Sequence, residues 1–349
     1  VRELIRLEGQ HDGLLTDFLR SMETATVYYT PQWRDTIVST YGYTPVYLGY
    51  GEADGLTAVL PLMYVTSRLT GKRLVSLPFS NACGPLGDAS SCTLLLDEAL
   101  RLQDELGAEA LEIRTQANVN PIDDDRFSNL SYFITSVVQL DPNPEVVWKR
   151  FKDRNVRSEV RQAAKKGVTV RAGQNEGDLK HFYRLFSESR QRHGVPPQPY
   201  AFFRNMWTCL WPDNMGLYLA MHGDRIIGGL IQLGFGSNIC AAYIGSDTKY
   251  RSARVHQAMF WKGMEDGCLR GYKAYDFLRT PKHSQSLRAF KLRWNASEID
   301  LIYSYYPEVR GTASTIEETT KYALMTKVLR RSPPFVGRFL GRILYKHLG

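Results

Sequence analysis

Apolar residues along the chain switch repeatedly between a period of two and the three-and-four spacing of a helix face, outlining a succession of short elements. Leu4 to Leu7 reads as a strand, and Leu14 to Met22 and Gln32 to Thr40 as helices, the second stopped at Tyr41-Gly42. TPVYLGYG, LTAVLPLMYVTSR and KRLVSLP alternate or run apolar between Gly-rich turns and predict an antiparallel meander. SSCTLLLDEALRLQDELG sets apolar residues at helical spacing between a Ser N-cap and a terminal Gly. ALEIRT reads as a buried strand, and YFITSVVQL closes the first half.

The second half follows the same order. A basic helix from Glu145 to Lys166 leads to strand VTVRA, helices Leu179 to His193 and Tyr200 to Leu210, and strands GLYLAMHG, RIIGGLIQLGFG and ICAAYIGSD. Helix Val255 to Cys268, strand AYDFLR, helix Ser286 to Trp294 and strand DLIYSYYP complete it. The recurrence of strand, two helices, three strands, helix, strand, helix-like segment and strand predicts an internal duplication.

A length of 349 residues suits two domains with a tail, placed at 1–142, 143–312 and 313–349. The net charge of +8 favours an anionic partner: nucleic acid, phospholipid or a phosphorylated substrate. The five cysteines, Cys83, Cys92, Cys209, Cys240 and Cys268, form neither a disulfide framework nor a zinc pattern, and no His/Asp/Glu cluster demands a metal. No apolar run is long enough to span a bilayer, and VRELIRLEGQHDG lacks a signal-peptide apolar region. The expectation is a cytoplasmic protein, soluble or peripheral on the inner face of the membrane.

Several residue patterns suggest chemistry. Arg154, Arg157, Arg161 and Lys165 share one face of the basic helix, and Glu159 is the only acid in its centre. That face is either a phosphate-binding stripe or a solvated surface. Lys291, between Arg288 and Arg293, is either a solvated residue of a basic helix or a buried cation. Asp276 lies between two aromatics, where a carboxylate needs a partner, so it is either a fixed ion pair or a positioning or proton-accepting group. Tyr43 and Asn81, near an aromatic cluster and the loop SLPFSNACGPLGD, line a cleft or pack the sheet. In the tail, Phe335, Phe339 and Ile343, with Val336, Leu340 and Leu344, lie on one face and Arg338, Arg342 and Lys346 on the other. Residues 335–349 therefore suit either an anionic membrane surface or docking on protein.

RNVRSEVRQAAKKGVTV, RQRHGVPPQPYAFF, YDFLRTPKHSQSLRAFKLRW and the tail RRSPPFVGRFLGRILYKHLG carry a family resemblance. The chain resembles the FemABX aminoacyltransferases, in particular the FemAB-related proteins associated with exosortase and exopolysaccharide loci. The resemblance implies a mixed α/β fold of two tandem GNAT-like domains and transfer of an aminoacyl or acyl group onto an amine of a cell-envelope, peptidoglycan-type or exopolysaccharide-linked precursor. It implies that Phe290-Lys291, following Tyr275-Asp276-Phe277, is the reaction centre, with Lys291 stabilising the tetrahedral oxyanion. It places Arg192 and Tyr200 near the acceptor's phosphates and counts Tyr243 and Phe290 among substrate-binding residues. HGVPPQP departs from the murein-ligating members and points to a different sugar-linked or lipid-linked amine.

The donor implied is aminoacyl-tRNA, with acyl-CoA or acyl carrier protein as the alternative from the general fold; no tightly bound cofactor and no DNA are expected. SDTKYRSARVHQA lacks the glycines of a CoA phosphate loop. A non-catalytic scaffold for envelope polysaccharide is the rival reading.

Overall fold

In the first half, Thr30 starts a helix by accepting from the Trp33 amide at 3.3 Å, and Gly42, at φ 72°, ends it in the left-handed conformation that favours glycine. The computed structural model describes residues 2–52, 55–151, 154–308, 326, 329–330 and 332–347. Its contacts divide the chain into two units, one of residues 1–135, 299–316 and 344–349, the other of residues 136–298 and 317–343.

The first unit begins with β1 (Glu3–Leu7), α1 (Asp12–Ser21) and α2 (Pro31–Tyr41). It continues through β2 (Thr44–Glu52), β3 (Gly55–Ser67), β4 (Gly71–Val75), the two-residue β5 (Leu86–Gly87), α3 (Ala89–Glu105) and β6 (Ala110–Gln116). β2, β3 and β4 form the expected antiparallel meander. β4 then pairs in parallel with β6, Arg73 opposite Ala110 through Val75 opposite Glu112. The cap of α3 is Asp88, accepting from the Ser91 amide at 2.9 Å, rather than the expected serine. Leu60, Leu62, Leu95, Leu102 and Ile113 are in its core.

Strand β7 (Ser128–Gln139) carries the chain into the second unit. There follow α4 (Pro144–Arg150), α5 (Arg154–Lys165), β8 (Val168–Ala172), α6 (Glu176–Arg192), α7 (Tyr200–Leu210), β9 (Met215–His222), β10 (Arg225–Phe235) and β11 (Asn238–Ser246). Then come α8 (Val255–Leu269), β12 (Ala274–Asp276), β13 (Thr280–Pro281), α9 (Gln285–Leu292), β14 (Ser297–Tyr306) and the tail helix α10 (Pro334–Leu344). Strands run β7-β12-β11-β10-β9-β8, with β12 parallel to β11. The meander, helix and parallel strand of β3-β4-α3-β6 thus recur as β10-β11-α8-β12.

Three expectations need correction. The helix from 145 to 166 is two helices, because Phe151 takes an extended ψ of 117° and buries its ring against Trp261 and Trp294. The strand AYDFLR stops at Asp276, since Leu278 is left-handed at φ 62°. DLIYSYYP, expected to complete the second half, instead pairs through Leu301–Tyr306 antiparallel with β6 in the first unit.

Candidate active site

The parallel pairing of β12 with β11 covers only Ala274–Asp276 against Asn238–Cys240. Beyond it the backbone bends. Asp276 Oδ1 accepts from the Leu278 amide at 2.7 Å, holding the left-handed turn, and the Phe277 amide donates to the Ser136 carbonyl at 2.9 Å. This local structure turns the carbonyls of Phe277 and Leu278 toward α9.

Lys291, in the last turn of α9, is buried at 5% exposure, so it is not a solvated residue of a basic helix. Its Nζ donates to the Phe277 oxygen at 2.9 Å and the Leu278 oxygen at 2.6 Å. An ammonium has three N–H donors, so one is left without an acceptor among the described residues. Burial lowers the ammonium and the carboxylates of Asp276 and Glu298 oppose it, leaving it at about 8. Its basic neighbours are neutralised elsewhere: Arg288 pairs with Glu298 at 2.6 Å and Arg293 with Glu159 at 2.9 Å. Phe290 is half-buried 6.0 Å from Phe260, in an aromatic cluster with Phe277 and Trp294.

The same cluster reaches the basic helix through Phe151 and Trp294, 5.3 Å apart. An open cleft of about 360 Å³ is lined by Glu145, Trp148, Lys149, Arg157, Ser158 and Arg161. The Arg161 guanidinium lies 5.5 Å over the Trp148 ring. Glu159 faces inward, bonded to Arg254 at 3.2 Å, Arg293 at 2.9 Å and Gln257 Nε2 at 3.2 Å. The one acid of α5 is therefore spent on the protein, and among the described residues it pairs with none of Arg157, Arg161 and Lys165. Lys165 is exposed at the end of α5 and is not part of the cleft lining; the Arg154 side chain is outside the described residues.

Other expected site residues fall elsewhere. Arg192 donates to the Ser246 carbonyl at 2.8 Å. Tyr200 donates to Glu176 at 3.0 Å, and burial with that carboxylate pushes its phenol up to about 12. Tyr243 on β11 packs edge-on against Phe186, Phe202 and Phe203. Tyr43 and Asn81 are buried in the first unit, where the Tyr43 hydroxyl bonds the Tyr345 and Lys346 carbonyls at 3.1 and 3.0 Å.

Sequence reasoning missed three polar features. Glu298 supplies part of the field at Lys291. His256 bonds Ser246 at 2.9 Å and is pushed down to about 4 by burial. Glu112 and Arg114 form a buried ion pair at 2.7 Å, and the Arg114 guanidinium lies 5.3 Å over the Tyr303 ring. The last was readable as two opposite charges at alternate positions of ALEIRT, on one strand face.

Arg254, before α8, is left-handed at φ 57° where a phosphate-cradling loop places glycine, and its side chain is committed to Glu159. Among the described residues no helix is long and apolar enough to cross a membrane, and no group of three or more His, Cys, Asp or Glu is placed to hold a metal ion.

Residues 150–291 match the family of the acetyltransferase (GNAT) domain. The chain carries the GNAT fold. The crystal structure of FemX superposes with a TM-score of 0.70 at 17% identity, covering 90% of this chain and 99% of that one. Among curated relatives, the UDP-N-acetylmuramoylpentapeptide-lysine N(6)-alanyltransferase of Weissella viridescens is 26% identical over 106 residues, 30% of this chain and 32% of the relative. The lipid II:glycine glycyltransferase of Staphylococcus saprophyticus is 25% identical over 222 residues, 56% of this chain and 51% of the relative. The GNAT match takes in α5, the Asp276–Leu278 turn and Lys291. The chain thus spans about a third to a half of the curated relatives it matches.

Proposed function

We propose that this protein is an acyltransferase of the Fem type, moving an aminoacyl or acyl group onto an amine of a cell-envelope precursor. The observation that carries the reading is Lys291: a desolvated ammonium, held by two backbone carbonyls, with no acceptor for its third N–H among the described residues. Attack of an amine on an acyl ester or thioester forms a C–N bond and puts negative charge on the former carbonyl oxygen. A preorganised buried cation stabilises that oxygen, and the charge returns to the carbonyl as the donor's oxygen or sulfur leaves. The attacking amine must lose a proton; water or a substrate phosphate accepts it.

Asp276 acts as a positioning residue, holding the turn whose carbonyls bind Lys291. Arg157 and Arg161, with Arg154 and Lys165, bind phosphates of a donor or acceptor. Arg192, Tyr200, Tyr243, Tyr43 and Asn81 remain substrate-binding candidates on the family resemblance. The acceptor is a phosphate-bearing or lipid-linked sugar of peptidoglycan or exopolysaccharide type, since the relatives' names include a muramoylpentapeptide alanyltransferase and a lipid II glycyltransferase. Aminoacyl-tRNA is the favoured donor, because Arg254 stands where a CoA loop has glycine; acyl-CoA or acyl carrier protein is the alternative.

The test is mass spectrometry of envelope polysaccharide and lipid-linked precursors from cells with the intact protein, with Lys291→Ala, and without the gene. An added mass that disappears in both the variant and the deletion supports catalysis. If the variant matches wild type while the deletion does not, Lys291 is not the reaction centre and the non-catalytic scaffold reading gains.

A further inference from the structure

Helix α10 presents its apolar side in an unexpected direction. Its small residues are the ones that pack: Gly337 and Gly341 are buried, and a Cβ on Gly341 would run into the Pro197 carbonyl oxygen. Opposite them, Phe335, Phe339 and Ile343 are 64%, 62% and 43% exposed, spaced four apart along one ridge. The ridge does not result from a loose end. Before the helix, Gln191 Nε2 donates to the Ser332 carbonyl. After it, the turn Tyr345–His347 is held by the Tyr43 hydroxyl, by Ser67 at 3.0 Å from His347 Nδ1, and by Thr70 at 2.9 Å from the His347 oxygen.

Charge narrows the choice of occupant for this ridge. Arg338 and Arg342 flank the phenylalanines and are exposed, with Arg330 and Lys346 also exposed at either end. The stretch 326–349 contains no aspartate or glutamate. A protein partner or second copy would need acids to answer those cations, and the ridge supplies none to another copy of itself. An anionic bilayer offers both an apolar layer for the rings and a continuous negative surface for the guanidinium groups.

We infer that α10 is a membrane-surface docking element, laying Phe335, Phe339 and Ile343 into the interface of an anionic bilayer with Arg338 and Arg342 at headgroup level. The inference rests on the geometry of this helix and stands whether or not the chain is a transferase.

The experiment is co-sedimentation of the full chain with vesicles of phosphatidylcholine alone and of phosphatidylcholine mixed with phosphatidylglycerol. Binding is expected to the mixed vesicles and to weaken with added salt. The double substitution Phe335→Ser with Phe339→Ser should lower partitioning by at least about tenfold, and Arg338→Glu by about fivefold or more. As these side chains are exposed, circular dichroism of each variant should match wild type. Independently, Phe339→Trp should show a blue-shifted emission with mixed vesicles only. Absence of wild-type binding to mixed vesicles, equal binding by the serine variant, or a dimer in ultracentrifugation that the serine variant converts to monomer would each overturn the inference.

Discussion

The ammonium of Lys291 lies 2.6 Å from the carbonyl oxygen of Leu278, a residue whose own backbone is left-handed at φ 62°. The pair joins a strand end to a helix end, and it holds the Lys291 ammonium away from water at that junction.

If the ammonium stabilises the oxyanion, Lys291→Ala should lower the rate by roughly 2 to 4 kcal/mol in barrier height, about two orders of magnitude. With the folded ammonium at about 8, wild-type kcat/KM should decline above that pH as the cation is lost. Lys291→Arg, which stays charged, should move the decline to higher pH even if its overall rate is lower. Stopped acyl-transfer assays across pH 6 to 10 check both; an unchanged alkaline limb in Lys291→Arg would sink the assignment.

Asp276→Asn keeps an oxygen to accept the Leu278 amide but removes a charge that raises the Lys291 ammonium. The variant should fold, and its alkaline decline should move to lower pH. A general-base role for Asp276 predicts instead a loss of kcat at every pH.

The same ionisation affects stability with a definite sign. Lys291 is lowered from 10.5 to about 8 on folding, so between those values the unfolded chain binds more protons and stability rises with pH. Measured against Lys291→Met, wild type should gain up to about 3 kcal/mol as pH rises from 8 to 10.5, and below 8 the burial penalty is fully present. Urea melts of the two proteins at paired pH values give the difference; no convergence over that window would contradict the burial of a charged lysine.

In the first unit, Arg114→Ala leaves Glu112 as a buried carboxylate without its ion partner. A loss of about 3 to 5 kcal/mol is expected, read as a lower denaturation midpoint. Glu112→Gln with Arg114→Met should recover much of it, because the two desolvated charges are removed together.

Arg161→Ala and Trp148→Ala should raise KM for a phosphate-bearing substrate with little change in kcat, and the salt dependence of binding should become shallower in Arg161→Ala. Initial-rate kinetics at two ionic strengths resolve the two effects.

Much of the fold was legible because alternation and helical spacing are local properties. The meanders, α3, α6, α7 and α8 fall where the apolar pattern puts them. What was not legible depends on distant partners. Phe151 breaks a continuous helical pattern because Trp261 and Trp294, more than a hundred residues later, bury its ring. Leu278 is left-handed although nothing in YDFLR suggests it, since the carboxylate of Asp276 and the lysine of α9 hold that turn. In the sequence Lys291 stands out by family resemblance; flanking arginines make its helix look solvated, and the positions of Glu298 and Glu159 show where their charges go.

Glu159 holds three elements at once. It grips Arg254 at the head of α8, Gln257 one turn on, and Arg293 just past the end of α9. A ligand that tugs α5 outward by its arginines would strain the same carboxylate that steadies the end of the helix carrying Lys291. Loss of that one carboxylate would therefore loosen the head of α8 and the end of α9 together.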